Sequence, residues 1–171
     1  MLEIEVKVKV EDLRPYREQL IALGAEIVAE RALEQNILYD FRPPKLAGKK
    51  QALRLRTVRK KAFLTFKGTP VKSRKFKVRE EFETEVKAWK QAQKILRALG
   101  LVPAFSYTKH RTVFRRGRLK ICLDETPIGS YLEFEGAREE IAKFARTLRI
   151  PKSAWIKTDY VELLKKSGKK V

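Results

Sequence analysis

Leu2-Glu3-Ile4-Glu5-Val6-Lys7-Val8-Lys9-Val10 alternates apolar and charged residues without a break. Leu2, Ile4, Val6, Val8 and Val10 fall on one face of an extended segment, and Glu3, Glu5, Lys7 and Lys9 fall on the other. A period of two marks a half-buried strand. Strands of this kind recur along the chain, with carboxylates on some polar faces and cations on others. Glu-x-Glu returns at Glu81/Glu83, continued by Glu85, and again at Glu133/Glu135. Arg54 and Arg56 flank Leu55, Lys67 follows Phe66, and Lys109 and Arg111 share a face further on. Curled into one closed sheet with polar faces inward, these strands would surround an interior rich in both oxygen ligands and anion-binding cations. Such an interior suits a metal-bound polyphosphate.

Composition sets the outer bounds. A chain of 171 residues is one domain, residues 1–171, long enough to bury a real core. Its 43% hydrophobic content argues against disorder despite the 36% charged fraction. No apolar run approaches the roughly 18 residues that span a bilayer. The alternating first strand is neither a signal nor a transit peptide, so the expectation is a cytoplasmic protein with no membrane partner. The single cysteine, Cys122, excludes an internal disulfide and a multi-cysteine zinc site. Scarce Asn, Cys and Met beside abundant Lys, Arg and Glu resemble the composition of proteins from hot environments.

Lys and Arg number 40 against 21 Asp and Glu, a net charge of +19 that is large for this size. Its distribution says more than its sum. Residues 41–79 and 86–123 contain no acid at all. One reading is a basic surface for the phosphates of nucleic acid. The other is a concave site for a compact anion, where focusing strengthens the field.

The order of elements follows from periodicity and punctuation. Asp12 is placed to cap a helix running to about Leu23 and ended by Gly24. An extended stretch from Ala25 to Asp40 and a Pro43-Pro44 loop come next. Gln51 to Arg59 and Ala62 to Lys67 read as paired strands, and Phe76 to Val86 reads as another after a basic loop. Lys87 to Leu99 has helical spacing, with Trp89, Ala92, Ile95, Leu96 and Leu99 on one face, and Gly100 closes it. Tyr107 to Phe114 and Arg118 to Leu123 form a hairpin about Gly117, and Ile128 to Gly136 is a further strand. A helix spans Ala137 to Leu148, and Asp159 caps a short terminal helix before a Lys/Gly tail. About eight strands with three or four helices argue for an α+β fold, a closed eight-stranded antiparallel β-barrel with flanking helices. Apolar strand faces would point outward beneath the helices.

Without a Gly-x-x-x-x-Gly-Lys loop, a phosphate ligand must be held by side chains. Arg54 and Arg56 offer planar forks, and Lys67, Lys109 and Arg111 offer further donors. Any one of these cations alone reads more readily as a solvated surface charge, but together they sit on the polar faces of otherwise good strands, which weakens that reading. Paired glutamates two apart on a strand place two carboxylates within reach of one hard cation such as Mg²⁺ or Mn²⁺, although a single pair is more often a solvated face. Asp124 shares a face with Lys120 and Cys122; it either orients an arginine, binds a second metal or starts a turn. His110, the only histidine, faces away from Lys109 and Arg111. Cys122 has no histidine near it in sequence. Tyr39-Asp40 belongs to a tunnel mouth or to an aromatic anchor beside a turn, and Trp89 and Trp155 read as helix-packing residues.

Glu3-x-Glu5-x-Lys7, Asn36-x-x-Tyr39-Asp40, Leu53-Arg54-Leu55-Arg56, Leu64-Thr65-Phe66-Lys67-Gly68, Glu81-x-Glu83 and Gly129-x-x-Leu132-Glu133-x-Glu135, taken together, resemble the CYTH superfamily. These are the triphosphate tunnel metalloenzymes, which include class IV adenylyl cyclases, thiamine triphosphatases and inorganic triphosphatases. The resemblance runs from Glu3 to Glu135 in family order. It implies an eight-stranded tunnel in which Lys7, Arg54, Arg56, Lys67, Lys109 and Arg111 grip a triphosphate. Glu3, Glu5, Glu133 and Glu135 would hold Mg²⁺ or Mn²⁺, with Glu81, Glu83 and Asp124 in support. Glu5, Lys7 and Arg56 would carry the catalysis. Phe41 departs from the pattern, since a small hydroxyl residue is common after the Asp. Hydrolysis of tripolyphosphate, thiamine triphosphate or ATP is the leading expectation, ahead of cyclisation of ATP to cyclic AMP and pyrophosphate. A non-catalytic binder of polyphosphate, nucleotide or RNA is the reading from another class.

Overall fold

The computed structural model describes residues 2–168. In chain order the elements are β1 (Leu2–Val10), α1 (Arg14–Ala22), β2 (Glu26–Asp40), β3 (Ala52–Val58), β4 (Lys61–Lys67) and β5 (Lys77–Glu85). There follow α2 (Trp89–Ala98), β6 (Val102–Arg116), β7 (Leu119–Thr126), β8 (Gly129–Glu135), α3 (Arg138–Thr147), β9 (Trp155–Ile156) and α4 (Tyr160–Lys166). The strands run in the order β5-β4-β3-β2-β6-β7-β8-β1, and β1 closes the circle by pairing with β5. This is the expected closed eight-stranded antiparallel barrel. The two-residue β9 is an addition, laid on β1 at Lys7 and Val8.

Closure depends on β1 serving two neighbours along its length. Leu2 to Glu5 pair with β5, while Glu5 to Val10 pair with β8. The 15-residue β2 bends around the wall through register shifts near Ile27, Ala29 and Leu38, where an extra residue increases local twist.

Alternation then sorts the side chains as expected. Val6 and Val8 of β1 point outward with Phe114, Ile121, Leu132 and Phe134, and α1 and α3 cover them with Leu20, Ile141, Phe144 and Ala145. Glu139 and Glu140 in the first turn of α3 complement the helix dipole. Gly24 (φ 75°) and Gly100 (φ 85°) end α1 and α2 in the left-handed conformation that glycine adopts without a Cβ clash.

Several local expectations change. Leu13, not Asp12, occupies the N-cap of α1; Asp12 Oδ1 instead accepts from the Arg14 backbone N–H two residues later. Asp159 does cap α4, its Oδ1 accepting from Glu162 N. On α2, only Leu96 is buried: Trp89, Ile95 and Leu99 are 38%, 60% and 64% exposed. The helix meets β2 and β3 through a small cluster of Tyr39, Leu55, Leu96 and Leu101, too narrow to cover the whole stripe. Trp155 packs from a strand, against Phe76 with ring centres 5.3 Å apart, and not from a helix. Tyr39 is the aromatic anchor, buried on the outer face, while Asp40 accepts four backbone N–H bonds from Phe41, Lys45, Leu46 and Ala47 and so shapes the following loop. The Lys/Gly tail beyond residue 168 lies outside the described residues. None of the described helices is long and apolar enough to cross a membrane.

Candidate active site

The inward faces of the strands meet around a cavity of about 870 Å³. From β1 come Glu3, Glu5 and Lys7, and in register across β8 stand Glu135 opposite Glu5 and Glu133 opposite Lys7. Arg54 and Arg56 enter from β3, Lys67 from β4, Glu81 and Glu83 from β5, and Lys109 and Arg111 from β6. Every tunnel residue expected from the sequence therefore reaches one space except Asp124. That carboxylate is on the inward face of β7 but fully buried beneath its partners, where it accepts both a fork from Arg111 and a bond from Lys109 Nζ at 3.0 Å. Of the roles open to it, orienting an arginine is the one the geometry matches.

Cations and carboxylates alternate around the lining. Lys7 Nζ lies 2.9 Å from Glu5 Oε1 and 3.1 Å from Glu133 Oε2. Arg111 reaches past Asp124 to Glu133 Oε1 at 3.0 Å. Arg56 spans Glu34 at 2.9 Å and Glu83 at 3.0 Å. Lys67 sits between Glu3 at 2.9 Å and Glu81 at 2.6 Å. Lys120 holds Glu135 at 2.8 Å. A polyanion entering this space can replace carboxylates as the partners of these cations, since phosphoryl oxygens accept the same charge-assisted bonds.

The charges respond to burial and to each other. Burial alone would raise the Glu133 carboxyl, but Arg111, Lys7 and Lys109 hold it well below the usual range. Burial opposes the charge on Lys7, yet Glu133 and Glu5 raise its pKa above the ordinary value. Burial dominates at Lys77, whose pKa falls, and it pushes the Cys122 thiol up to about 12. Cys122 is a free, buried thiol, and nothing around it marks it as a nucleophile. Burial and the neighbouring Glu3 lift Glu81 to about 7, against the pull of Lys67.

Among the described residues, no three His, Cys, Asp or Glu side chains converge as a ready metal cage. The donor chemistry nonetheless fits a hard cation. Glu5 and Glu135 face each other across adjacent strands, and buried Glu5 Oε1 has an ion-pair contact but no aligned hydrogen bond. Carboxylate oxygens in this number suit Mg²⁺ or Mn²⁺.

The structure also brings in residues that sequence reasoning did not single out. Lys77 and Arg79 share the inward face of β5 with Glu81 and Glu83, so the alternation read at the glutamates extends four residues further back. Glu34 lies two residues before Asn36 on β2 and contacts Arg56; nothing but its place in the alternation marks it. Tyr160 comes from α4, remote in sequence, and donates its O–H to Asp124 Oδ2 at 2.7 Å. No local pattern announces it. Asn36, already part of the sequence motif, is buried with both side-chain amide atoms lacking a hydrogen-bond partner among the described residues.

Comparison with known proteins is consistent along the whole chain. The model of the CYTH domain family matches residues 1–164. A Methanocaldococcus jannaschii protein named "putative adenylate cyclase" is 26% identical over 174 residues, covering 95% of this chain and 98% of the relative. A solved structure from Vibrio parahaemolyticus, also called a "putative adenylate cyclase", superposes with a TM-score of 0.84 at 20% identity over 96% of this chain and 98% of that one. A Hippeastrum structure described as a "putative adenylyl cyclase" with a dominant triphosphatase activity gives a TM-score of 0.72 at 21% identity, covering 99% and 97%. At these identities the solved structures speak for the fold alone.

Proposed function

Because the chain belongs to the CYTH domain family, we propose that it is a divalent-metal-dependent enzyme that hydrolyses an inorganic or organic triphosphate held inside the tunnel. The observation that carries this reading is the convergence of Lys7, Arg54, Arg56, Lys67, Lys109 and Arg111, from four strands, on one cavity. Arg54 and Arg56 suit bidentate contacts, and the lysines act as point charges along the chain of phosphates. Glu3, Glu5, Glu133 and Glu135 are the residues that would hold Mg²⁺ or Mn²⁺, which when bound neutralises phosphoryl charge and lowers the pKa of a coordinated water. Glu5, Lys7 and Arg56 carry the catalytic roles in this reading. Lys7 and Arg56 donate to phosphoryl oxygens as negative charge builds there, and Glu5 supplies a buried carboxylate beside Lys7.

Cyclisation of ATP is the second reading, and one feature favours it. Leu38, Phe105 and Val161 line the cavity where its charged wall gives way to apolar side chains, a setting able to take a nucleoside base. The name of the Methanocaldococcus jannaschii relative points the same way.

The test is to incubate the protein with Mg²⁺ or Mn²⁺ and tripolyphosphate, thiamine triphosphate or ATP. Released phosphate supports hydrolysis, cyclic AMP with pyrophosphate supports cyclisation, and no product leaves a binding protein. Arg56→Ala is expected to lower turnover by about 30- to 1000-fold, the equivalent of roughly 2–4 kcal/mol of transition-state stabilisation. An undiminished variant would remove Arg56 from the clamp.

A further inference from the structure

The helix α4 places an aromatic ring against the clamp. Lys7 Nζ lies 5.1 Å from the centre of the Tyr160 ring, and Lys109 Nζ lies 4.6 Å from the same centre. These two lysines come from β1 and β6, which are not neighbours in the barrel. The ring is thus a shared support between cations that would otherwise repel across the tunnel. Its hydroxyl donates to Asp124 Oδ2, the oxygen that also accepts from Lys109. We propose that Tyr160 is a positioning residue that sets the separation of Lys7 and Lys109 and fixes Asp124, so that α4 completes the triphosphate clamp.

Three further observations support this role. Tyr160 is buried, packed edge-on against Tyr131 with ring centres 5.4 Å apart, so the ring has little freedom to follow the lysines. Burial, with Asp124 next, raises its hydroxyl well above the ordinary tyrosine value, which keeps the O–H a donor throughout the neutral range. Asp159, the preceding residue, caps α4 and accepts from Lys77 Nζ at 2.9 Å, which pins the start of the helix to β5. A cation over an aromatic face contributes about 0.5–1 kcal/mol at an exposed site and more where water is excluded. Loss of two such contacts is expected to weaken a ligand held by both lysines about tenfold.

The inference rests on the triphosphate clamp described above, and calorimetric titration with tripolyphosphate keeps the two separable. Tyr160→Phe retains the ring and loses the O–H; Tyr160→Leu loses both. Tyr160→Leu should raise the dissociation constant for tripolyphosphate about tenfold and lower kcat as well, since Lys7 is displaced, and Tyr160→Phe should restore most of the affinity. Leu164→Ala serves as the control for helix docking, because Leu164 is buried on α4 in the same tyrosine-rich cluster. It should lower the melting temperature with less than about a threefold change in affinity. If Leu164→Ala weakens binding as much as Tyr160→Leu at a matched loss of melting temperature, a structural role replaces the positioning role. If both Tyr160 variants bind like the unaltered protein, the proposal fails while the clamp stands. Failure of the unaltered protein to bind tripolyphosphate overturns both.

Discussion

Two halves of the same barrel are built to different standards. On the wall formed by β1 and β6 to β8, the outer face is sealed by α1 and α3, and the inner face carries Lys7, Lys109, Arg111, Asp124 and Glu133, all buried and tightly paired. On the wall formed by β3 to β5, Arg54, Arg56 and Lys67 remain partly open to solvent, and outside them Phe82 stands exposed. The helices make the point most directly. α2 and α3 each have ten residues and an apolar stripe, yet α3 buries Ile141, Phe144 and Ala145 where α2 buries only Leu96. A stripe is a property of the sequence; what covers it is a property of the neighbours. The sealed wall holds its charges in a buried array, whereas the other wall leaves Arg54 and Arg56 partly open to solvent.

The largest effects should fall on the sealed wall. Phe144→Ala is expected to cost about 3–5 kcal/mol, and Leu96→Ala on α2 about 2 kcal/mol, by urea unfolding. Equal costs would break the comparison. Inside, Asp124→Asn removes the charge that Arg111 and Lys109 share, with an expected loss of about 3–5 kcal/mol for a broken buried ion pair. Glu83→Gln, on the more open wall, should cost well under half of that, because solvent reaches both it and its arginine partners.

The barrel was legible because strand periodicity is local. Alternation in residues 2–10 alone separates the outward Val6 and Val8 from the inward Glu5 and Lys7, and the structure keeps that division in every strand quoted. Most of the charged lining was legible for the same reason. Contributions carried by tertiary placement were not. Tyr160 enters the site only because α4 folds back across β6 to β8, and Glu34 is ordinary until Arg56 and Lys109 surround it. The α2 stripe misled in the opposite direction, since helical spacing says which residues lie together and not whether a partner face exists.

Glu34 gives an intermediate effect with a pH signature. Burial would raise its carboxyl, but Arg111, Lys109 and Arg56 outweigh burial and bring it down from 4.5 to about 2. A carboxylate with a depressed folded-state pKa contributes stability that is fully present above about 4.5 and is lost as the pH falls toward about 2. Glu34→Gln should therefore destabilise the protein by about 2–3 kcal/mol at pH 7. The gap from the unaltered protein should narrow steadily below pH 4.5. Unfolding curves at pH 7, 5 and 3 decide it: a gap that stays constant would mean that lost packing, not lost charge, explains the variant.

The smallest effect belongs to Ile95, and it sharpens the comparison most. Ile95 is exposed on α2, one residue from buried Leu96. If the outer face of α2 is bare in solution, Ile95→Ser changes the balance only through helix propensity and a little residual contact, within about 0.5 kcal/mol. The same substitution must then have the same effect at every protein concentration. A second copy of the chain covering that face would behave otherwise, because self-association stabilises by mass action. The melting temperature of the unaltered protein would rise with concentration, and Ile95→Ser would remove the rise. Melting curves across a hundredfold range of concentration separate the two cases. A flat series leaves α2 as the uncovered counterpart of α3; a rising one means that the two helices differ only in where their cover comes from.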